Sequence, residues 1–322
     1  MIRWWSVWAG VLCMIQALPP VPAQDYPVRS VRMVLPFPAG GGSDLIARVT
    51  AQKLSSQLGQ QVVVDNRAGA SGNIAAEIVA KSPPDGYTVL FGNSSLAIVS
   101  AVYQKLAFDP VRDFLPISMA SSYPFMLVAH PSLPVRNVKE LAALAKLKPG
   151  ALTYASAGSG TMAQFAMELF SIKTGARLTH LPYKGAAPAS IGILTGEAQC
   201  GFLVMPVAQV QIRAGKLRGL GVASARRSPV MPEIPTMIEA GVADHIALQW
   251  NGLFVPAKTP PALADRLHKE MVKALASAEV KQRFEAEGAE PVGSSPAEFA
   301  AFFRAESAKW ADVARRSGTK LD

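Results

Sequence analysis

The chain contains very little cysteine and little charge for its length. Cys13 and Cys200 are the two cysteines among 322 residues, and charged residues make up 17%. Because Cys13 falls in a predicted leader, Cys200 has no partner, which excludes an intramolecular disulfide. The four histidines show no His-x-x-His or His-Glu-x-x-His spacing, so no metal site is predicted. The fold must therefore be held together by its hydrophobic core.

Motifs for nucleic acid, nucleotides and hydrolysis are also missing. The net charge of +9 comes from scattered Lys and Arg with no run of four, which disfavours nucleic-acid binding. The glycines at 40–42 lack the Gly-Lys-Ser/Thr ending of a P-loop and the Gly-x-Gly-x-x-Gly spacing of a dinucleotide fold. Residues 157–160 do not match the Gly-x-Ser-x-Gly elbow of hydrolases. We therefore predict no cofactor, interpret His180 as a core or edge residue, and keep a hydrolytic enzyme as the remote alternative.

The first residues have the pattern of a secretion signal. Arg3 precedes an apolar stretch from Trp4 to Leu18 that is too short to span a bilayer. A small-residue ending at Ala23 resembles a cleavage site. The pattern predicts a signal peptide at 1–23 and a secreted mature chain beginning near Gln24 or Asp25.

Short β-rich runs alternate with helical patterns along most of the chain, which indicates parallel sheets with crossover helices. In the first part we predict strands at 31–35, 61–64 and 87–91, with helices at 44–58 and 74–80. A second series follows, with strands at 153–155, 178–181, 200–204 and 217–222 and helices at 162–173, 187–194 and 207–214. The pattern predicts two doubly wound α/β domains.

The C-terminal part is predicted to be a strand at 250–255 followed by helices at 261–276 and 298–315. The last helix carries Phe299, Phe302, Phe303 and Trp310 at helical spacing. We interpret this aromatic stripe as core packing against the first domain.

Two Gly/Ser-rich loops connect a strand to a helix, one at 37–43 and one at 156–161. Helix N-termini carry unpaired N–H groups and a partial positive charge, and they bind anions. Ligands of open α/β folds sit at the carboxyl ends of the strands, so we expect both loops to converge on a carboxylate. Ser43 or Asp44 is the expected cap of the first helix. Ser94, Ser95 and the loop 183–186 lie at the same edges, and Lys184 is either a ligand cation or a solvated surface lysine.

Several motifs in a fixed order resemble one family over essentially the whole mature chain. They are VLPFPAGGGSD at 34–44, VVVDNRAGASGNI at 62–74, PDGY at 84–87, YASAGSGT at 154–161, PYKG at 182–185, AGKLR at 214–218 and PEIPT at 232–236. The sequence thereby resembles the Bug-type receptors of the tripartite tricarboxylate transporter family.

The resemblance implies a type II periplasmic-binding-protein fold, in which two α/β domains joined by crossing strands close on a ligand like a hinge. The domains are then 24–125 plus 246–322 and 126–245. The function implied is a periplasmic receptor for a small organic carboxylate, acting as a monomer with the permease subunits of a transporter. A ligand-delivering component for a sensor kinase is the alternative that the sequence leaves open.

Carried onto this chain, the resemblance and the loops predict one ligand site in the interdomain cleft. Its residues are Phe37, Ala39, Gly40, Ser43, Ser94, Ser95, Ser156, Gly158, Ser159, Gly160, Thr161, Gln164, Tyr183, Lys184, Gly185 and Leu203.

Three departures from the family pattern bear on the ligand. Leu203 stands where family members commonly have an Asp, Gln199 stands where they have an acidic residue, and they commonly have a Thr-His pair near Ala163-Gln164. If Leu203 and Met205 reach the cleft, the wall suits an aromatic or aliphatic monocarboxylate better than an amino acid, whose ammonium needs an acidic partner.

Overall fold

The structure is a computed structural model, and it describes residues 26–321. The predicted signal peptide at 1–23 lies outside the described residues. None of the described helices is both long and apolar enough to cross a membrane.

A single mixed sheet runs through the described chain. Its strands are β1 (Val31–Leu35), β2 (Val62–Asn66), β3 (Thr88–Asn93), β4 (Phe114–Ala129), β5 (Thr153–Ser156), β6 (Thr179–Pro182), β7 (Cys200–Val204), β8 (Arg218–Val222), β9 (Leu248–Pro256) and β10 (Glu290–Pro291). The order is β2-β1-β3-β9-β4-β7-β5-β6, and β8 and β10 pair with β4.

Helices cover both faces of this sheet. They are α1 (Gly42–Leu58), α2 (Asn73–Ala80), α3 (Val99–Val102), α4 (Val138–Leu147), α5 (Met162–Thr174), α6 (Ala186–Leu194), α7 (Met205–Arg213), α8 (Pro261–Ala276), α9 (Ala278–Ala286) and α10 (Pro296–Ser317). The glycines predicted to end α1 and α5 do so: Gly59 and Gly175 both adopt the left-handed conformation and donate their N–H to the preceding turn.

The strand β4 links the two parts of the sheet. Residues 114–124 pair antiparallel with β9, and from Phe125 onward the same strand pairs with β7 and β8. The return connection lies beside it, because Phe125 donates its N–H to the Ala247 carbonyl (3.2 Å) and Ala247 donates to the Ala223 carbonyl (2.9 Å). Two crossing strands therefore join the first part of the sheet (β2, β1, β3, β9) to the second (β7, β5, β6, β8).

Sequence reasoning missed β4 entirely. Pro116 and Pro124 interrupt this segment, and proline is normally confined to edge strands or bulges because it lacks an N–H. Pro116 lies next to a register shift against β9, which is where the ladder tolerates it. The helices α4 and α9 were not predicted either.

The aromatic stripe of α10 packs into the core, as predicted, with Phe302 only partly buried, but it contacts both parts of the molecule. Phe299 and Phe303 pack edge-on against Trp250 of β9, with ring centroids 5.7 and 5.9 Å away. Trp310 packs against Phe165 of α5 at 6.2 Å. The hydrophobic core on this face is therefore continuous across the first and second parts of the sheet.

Replacing Trp310 with alanine tests this shared core. Trp310 is fully buried, and truncating a buried Trp costs about 3–5 kcal/mol because a cavity remains. We expect Trp310→Ala to lower the free energy of urea unfolding by that amount. Leu147→Ala is the matched control, since Leu147 is 80% exposed and surface changes stay within about 0.5 kcal/mol. Equal losses in the two variants would contradict the shared core.

Candidate functional site

The first loop follows β1 and runs into α1, with residues 38–42 exposed. Gly41 in extended conformation is the N-cap, and no side chain caps the helix, so the prediction of Ser43 or Asp44 as the cap was wrong. Asp44 lies in the first turn of the helix, where its carboxylate accepts the N–H of Gly40 at 2.9 Å. The N–H groups of Gly41, Gly42 and Ser43 find no partner within residues 26–321.

Asp44 is a buried carboxylate directly beneath this loop. Burial alone would raise its pKa, but hydrogen bonds from Arg48, the Gly40 amide and Asn66 hold the pKa below its ordinary value. Arg48 Nε lies 2.9 Å from Asp44 Oδ2, and Asn66 Nδ2 donates both to Asp44 Oδ1 and to the Phe37 carbonyl, each at 2.9 Å. The charge of Asp44 is thus paired, and its bonds fix the course of the loop.

The second loop follows β5 and runs into α5. Thr161 is the N-cap, but its hydroxyl turns back to donate to the Gly158 carbonyl at 2.7 Å and does not cap the helix. The Gly160 N–H donates to Gln164 Oε1 at 2.8 Å, and the Gly158 N–H to Ser156 Oγ at 3.2 Å. For the N–H groups of Ser159 and Thr161 the described part of the chain offers no partner.

His180 supports the base of the second loop. Its Nε2 lies 2.6 Å from Ser156 Oγ, and its ring stacks on Tyr154 at 4.9 Å. Burial lowers the pKa of His180 to about 4, so the imidazole is neutral at ordinary pH. The interpretation of His180 as a residue with satisfied contacts agrees with this geometry.

The two loops are brought together by a turn that sequence reasoning did not include in the site. Gly72 packs so closely on Pro36 that a Cβ there would lie 2.9 Å from the proline Cβ. The neighbouring Ser71 hydroxyl donates to the Ser159 carbonyl at 2.7 Å. The loop after β1 and the loop after β5 are therefore separated by a single turn. In the sequence this turn is part of the family motif at 62–74, but nothing in the motif indicated a contact with the second loop.

The segment 183–185 joins the second loop through its backbone. Tyr183 donates its N–H to the Ser156 carbonyl and Gly185 to the Ala157 carbonyl, both at 3.0 Å. The Tyr183 ring lies over Gly192 of α6, and burial together with Glu197 raises the pKa of Tyr183 to about 12. Lys184 is exposed. The structure thus places the main chain of this segment, and not the tyrosine hydroxyl, beside the loop.

Ser94 and Ser95 lie at the carboxyl end of β3 but are buried. Ser94 Oγ donates to Gln249 Oε1 at 2.9 Å, and the Ser95 N–H donates to Asn93 Oδ1 at 3.0 Å. These bonds tie the edge of β3 to the crossing strand β9. Both serines are already engaged within the protein.

The residues that depart from the family pattern lie in three different places, and only one of them contacts the second loop. Leu203 and Met205 are 6% and 1% exposed and belong to the hydrophobic cluster of the second part, so neither presents an open apolar wall. Gln199 accepts the N–H of Thr153 at 2.6 Å, at the start of β5 and hence at the opposite edge from the loop. Gln164, by contrast, directly contacts the loop through the Gly160 N–H.

Two α/β units joined by crossing strands, with one turn between the loops that precede α1 and α5, define a two-lobed binding protein. The family model described as the tripartite tricarboxylate transporter family receptor matches residues 46–319. Protein BugT of Bordetella pertussis is 38% identical over 304 residues, covering 94% of this chain and 93% of that protein.

Solved structures agree with this assignment. The chain is similar to R. palustris Rpa4515 with adipate (TM-score 0.84, 35% identity, covering 92% of this chain and 100% of that one). It is also similar to MatC from Rhodopseudomonas palustris with bound malate (TM-score 0.81, 30% identity, covering 89% and 99%). The periplasmic binding protein BugD gives a TM-score of 0.82 at 31% identity, covering 92% and 100%. The chain belongs to the tripartite tricarboxylate transporter receptor family, and its fold is the two-lobed binding-protein fold with an interdomain cleft.

The neutral state of His180 predicts a pH dependence of stability. The folded-state pKa is about 4, whereas an unfolded histidine titrates near about 6.5. As pH falls through this window the unfolded chain binds the proton and the folded chain does not, so the free energy of unfolding decreases. We expect His180→Gln, which stays neutral, to lose less stability than the wild type between neutral pH and about pH 5. Urea unfolding measures this, with His130→Gln as the control; identical pH slopes in the wild type and His180→Gln would contradict it.

Proposed function

We propose that this protein is a periplasmic receptor that captures a small organic carboxylate between the loops after β1 and β5, for delivery to the membrane subunits of a tripartite transporter. The observation that carries the proposal is the pair of uncapped helix starts. At α1 and α5 several N–H groups have no partner among residues 26–321, and such groups bind carboxylates without any basic side chain.

The relatives support the choice of ligand class. Rpa4515 is described with adipate and MatC with malate, and both ligands carry two carboxylates. A dicarboxylate is able to place one carboxylate at each helix start. Main-chain donors and the macrodipoles of α1, with 17 residues, and α5, with 13, then supply the attraction.

We also propose the lobe boundaries expected from the sequence, 24–125 plus 246–322 and 126–245. Support comes from β4, which exchanges β9 for β7 and β8 as its partners at Phe125, and from the adjacent return at Ala247. Rotation about these two crossings opens and closes the gap between the loops. The signal pattern at 1–23 supports secretion to the periplasm, and we propose that the mature protein acts as a monomer.

The protein is proposed to perform no chemistry. A serine hydrolase needs a base held by a third group and an exposed nucleophile. Ser156 is buried, and its hydroxyl also contacts the amide and carbonyl of Gly158. His180 is held by stacking on Tyr154. This serine–histidine pair therefore supports the loop, in keeping with membership of a receptor family.

A thermal-shift screen of mono-, di- and tricarboxylates on the mature protein tests the proposed function. A ligand at about 100 times its dissociation constant adds roughly 2.7 kcal/mol of stability. We expect at least one acid, most readily a dicarboxylate such as adipate or malate, to raise the melting temperature. A screen in which no carboxylate shifts the melting temperature would refute the receptor function.

A glycine variant locates the site within that screen. Gly158 has φ +135°, and a Cβ there would lie 3.2 Å from the Tyr183 carbonyl oxygen. Gly158→Val should displace the second loop and remove every positive shift. Gly215→Val is the matched control, since Gly215 has φ +69° with nothing within 4 Å of its Cβ position. Retention of binding by Gly158→Val, or its loss in Gly215→Val alone, would place the ligand elsewhere.

A further inference from the structure

The turn at Gly69–Gly72 forms a hydrogen bond between the first lobe and the second-lobe ligand loop. The hydroxyl of Ser71 donates to the Ser159 carbonyl at 2.7 Å, a contact between residues 88 positions apart. A Cβ on Gly160 would lie 3.0 Å from Ser71 Oγ. The contact therefore needs a residue without a side chain at position 160 and a short donor at position 71.

This contact clamps one peptide of the ligand loop from both sides. The carbonyl of the Ser159–Gly160 peptide accepts from Ser71, and the N–H of the same peptide donates to Gln164 at 2.8 Å. Because the peptide unit is planar and trans, its carbonyl and N–H point in opposite directions. The first lobe holds one end and the second lobe holds the other, which fixes the orientation of this peptide plane beside the free amides of Ser159 and Thr161.

Other first-lobe groups converge on the same place. The Tyr103 hydroxyl donates to Ser71 Oγ at 3.3 Å. Leu321, whose N–H bonds the Val102 carbonyl at 2.7 Å, lies 2.9 Å from the Cβ position of Gly160 through its Cδ1. Two separate segments of the first lobe, the turn with Ser71 and the C-terminal Leu321, thus contact Ser159 or Gly160 of the second lobe, and Tyr103 supports Ser71.

The backbone of the turn is held in an unusual conformation to make the contact. Ala70 has φ +47° and Ser71 φ +55°, which residues other than glycine rarely adopt. Such conformations cost energy and persist where the surrounding structure requires them, commonly at functional sites. Ser71 is only partly buried, so core packing does not account for it.

We propose that Ser71 is a positioning residue for ligand capture: its hydroxyl closes the two lobes by bonding the Ser159 carbonyl and so orients the amides of the second-lobe loop. The inference rests on the proposed function, because it names the group that stabilises the closed receptor. Its bond exists only when the lobes are together. Removing it therefore favours the open form and leaves each lobe intact.

The distance between the lobes in the ligand-free protein tests the proposal. Spin labels on cysteines replacing Gln52 of α1 and Ile191 of α6, both exposed, report the lobe separation by double electron–electron resonance. Cys200 is fully buried and burial raises its pKa to about 12, so it does not compete for the label. We expect Ser71→Ala to raise the ratio of open to closed molecules by about three- to tenfold, which is the effect of one net hydrogen bond.

Three further variants separate the hydroxyl from the fold. Ser71→Gly removes the hydroxyl and also the strain of a left-handed backbone conformation at a residue with a side chain. It should open the lobes as much as Ser71→Ala does. Tyr103→Phe should act in the same direction with a smaller shift. Ser82→Ala, which removes a hydroxyl bonded to the Val79 carbonyl within the first lobe, should leave the distances unchanged.

Two results would overturn the proposal. One is an identical distance distribution in the wild type, Ser71→Ala and Ser71→Gly, and the other is a wild-type protein with no closed population. Because the measurement uses no ligand, it gives an answer even where every carboxylate in the thermal-shift screen fails to bind. Failure of the closure contact is in this way distinguished from failure of the receptor function.

Discussion

The first N–H groups of an α-helix have no acceptor within the helix, and at α1 and α5 no side chain caps them. Buried donors left in this state are costly, so both helix starts lie at exposed or partly exposed loops. The parallel strands β1 and β5 direct these starts to the carboxyl edges of their sheets, and the crossing strands β4 and β9 bring the edges together. An anion is the ligand that completes such an arrangement, since it accepts from both helix starts.

The first loop lies above the carboxylate of Asp44, and its amides nevertheless still favour an anionic ligand. Asp44 lies beneath the loop, and its carboxylate accepts the N–H of Gly40. The same carboxylate forms an ion pair with Arg48 and accepts a hydrogen bond from Asn66. Its negative charge is therefore balanced locally, and the amides of Gly41, Gly42 and Ser43, which have no partner among residues 26–321, remain for a ligand. The carboxylate fixes the loop, and the arginine is committed to the carboxylate rather than to the cleft.

Local periodicity was sufficient to predict β1, α1, β5 and α5, because their apolar spacing and their glycine stops agree with the fold. Local periodicity did not predict β4, because the prolines and serines of this segment are not typical of a buried strand. The place of the loops after β1 and β5 at the carboxyl ends of their strands was predictable, because strand-to-helix turns have a fixed place in α/β folds. The contact of Ser71 with Ser159 was not, since it joins residues 88 apart and depends on how the two lobes meet. Leu203 was expected at the cleft, whereas side-chain direction placed it in a hydrophobic cluster.

Recognition by main-chain donors makes selectivity a matter of which amides are already occupied. In the second loop Gly158 and Gly160 donate to Ser156 and Gln164, while the N–H groups of Ser159 and Thr161 have no partner in the described part of the chain. The side chain of Gln164 accepts the Gly160 N–H and so helps to determine the orientation of the Ser159–Gly160 peptide. Ser71 determines it from the other lobe. The geometry presented to a carboxylate is therefore complete only after closure, which makes capture of the ligand and closure of the lobes one process.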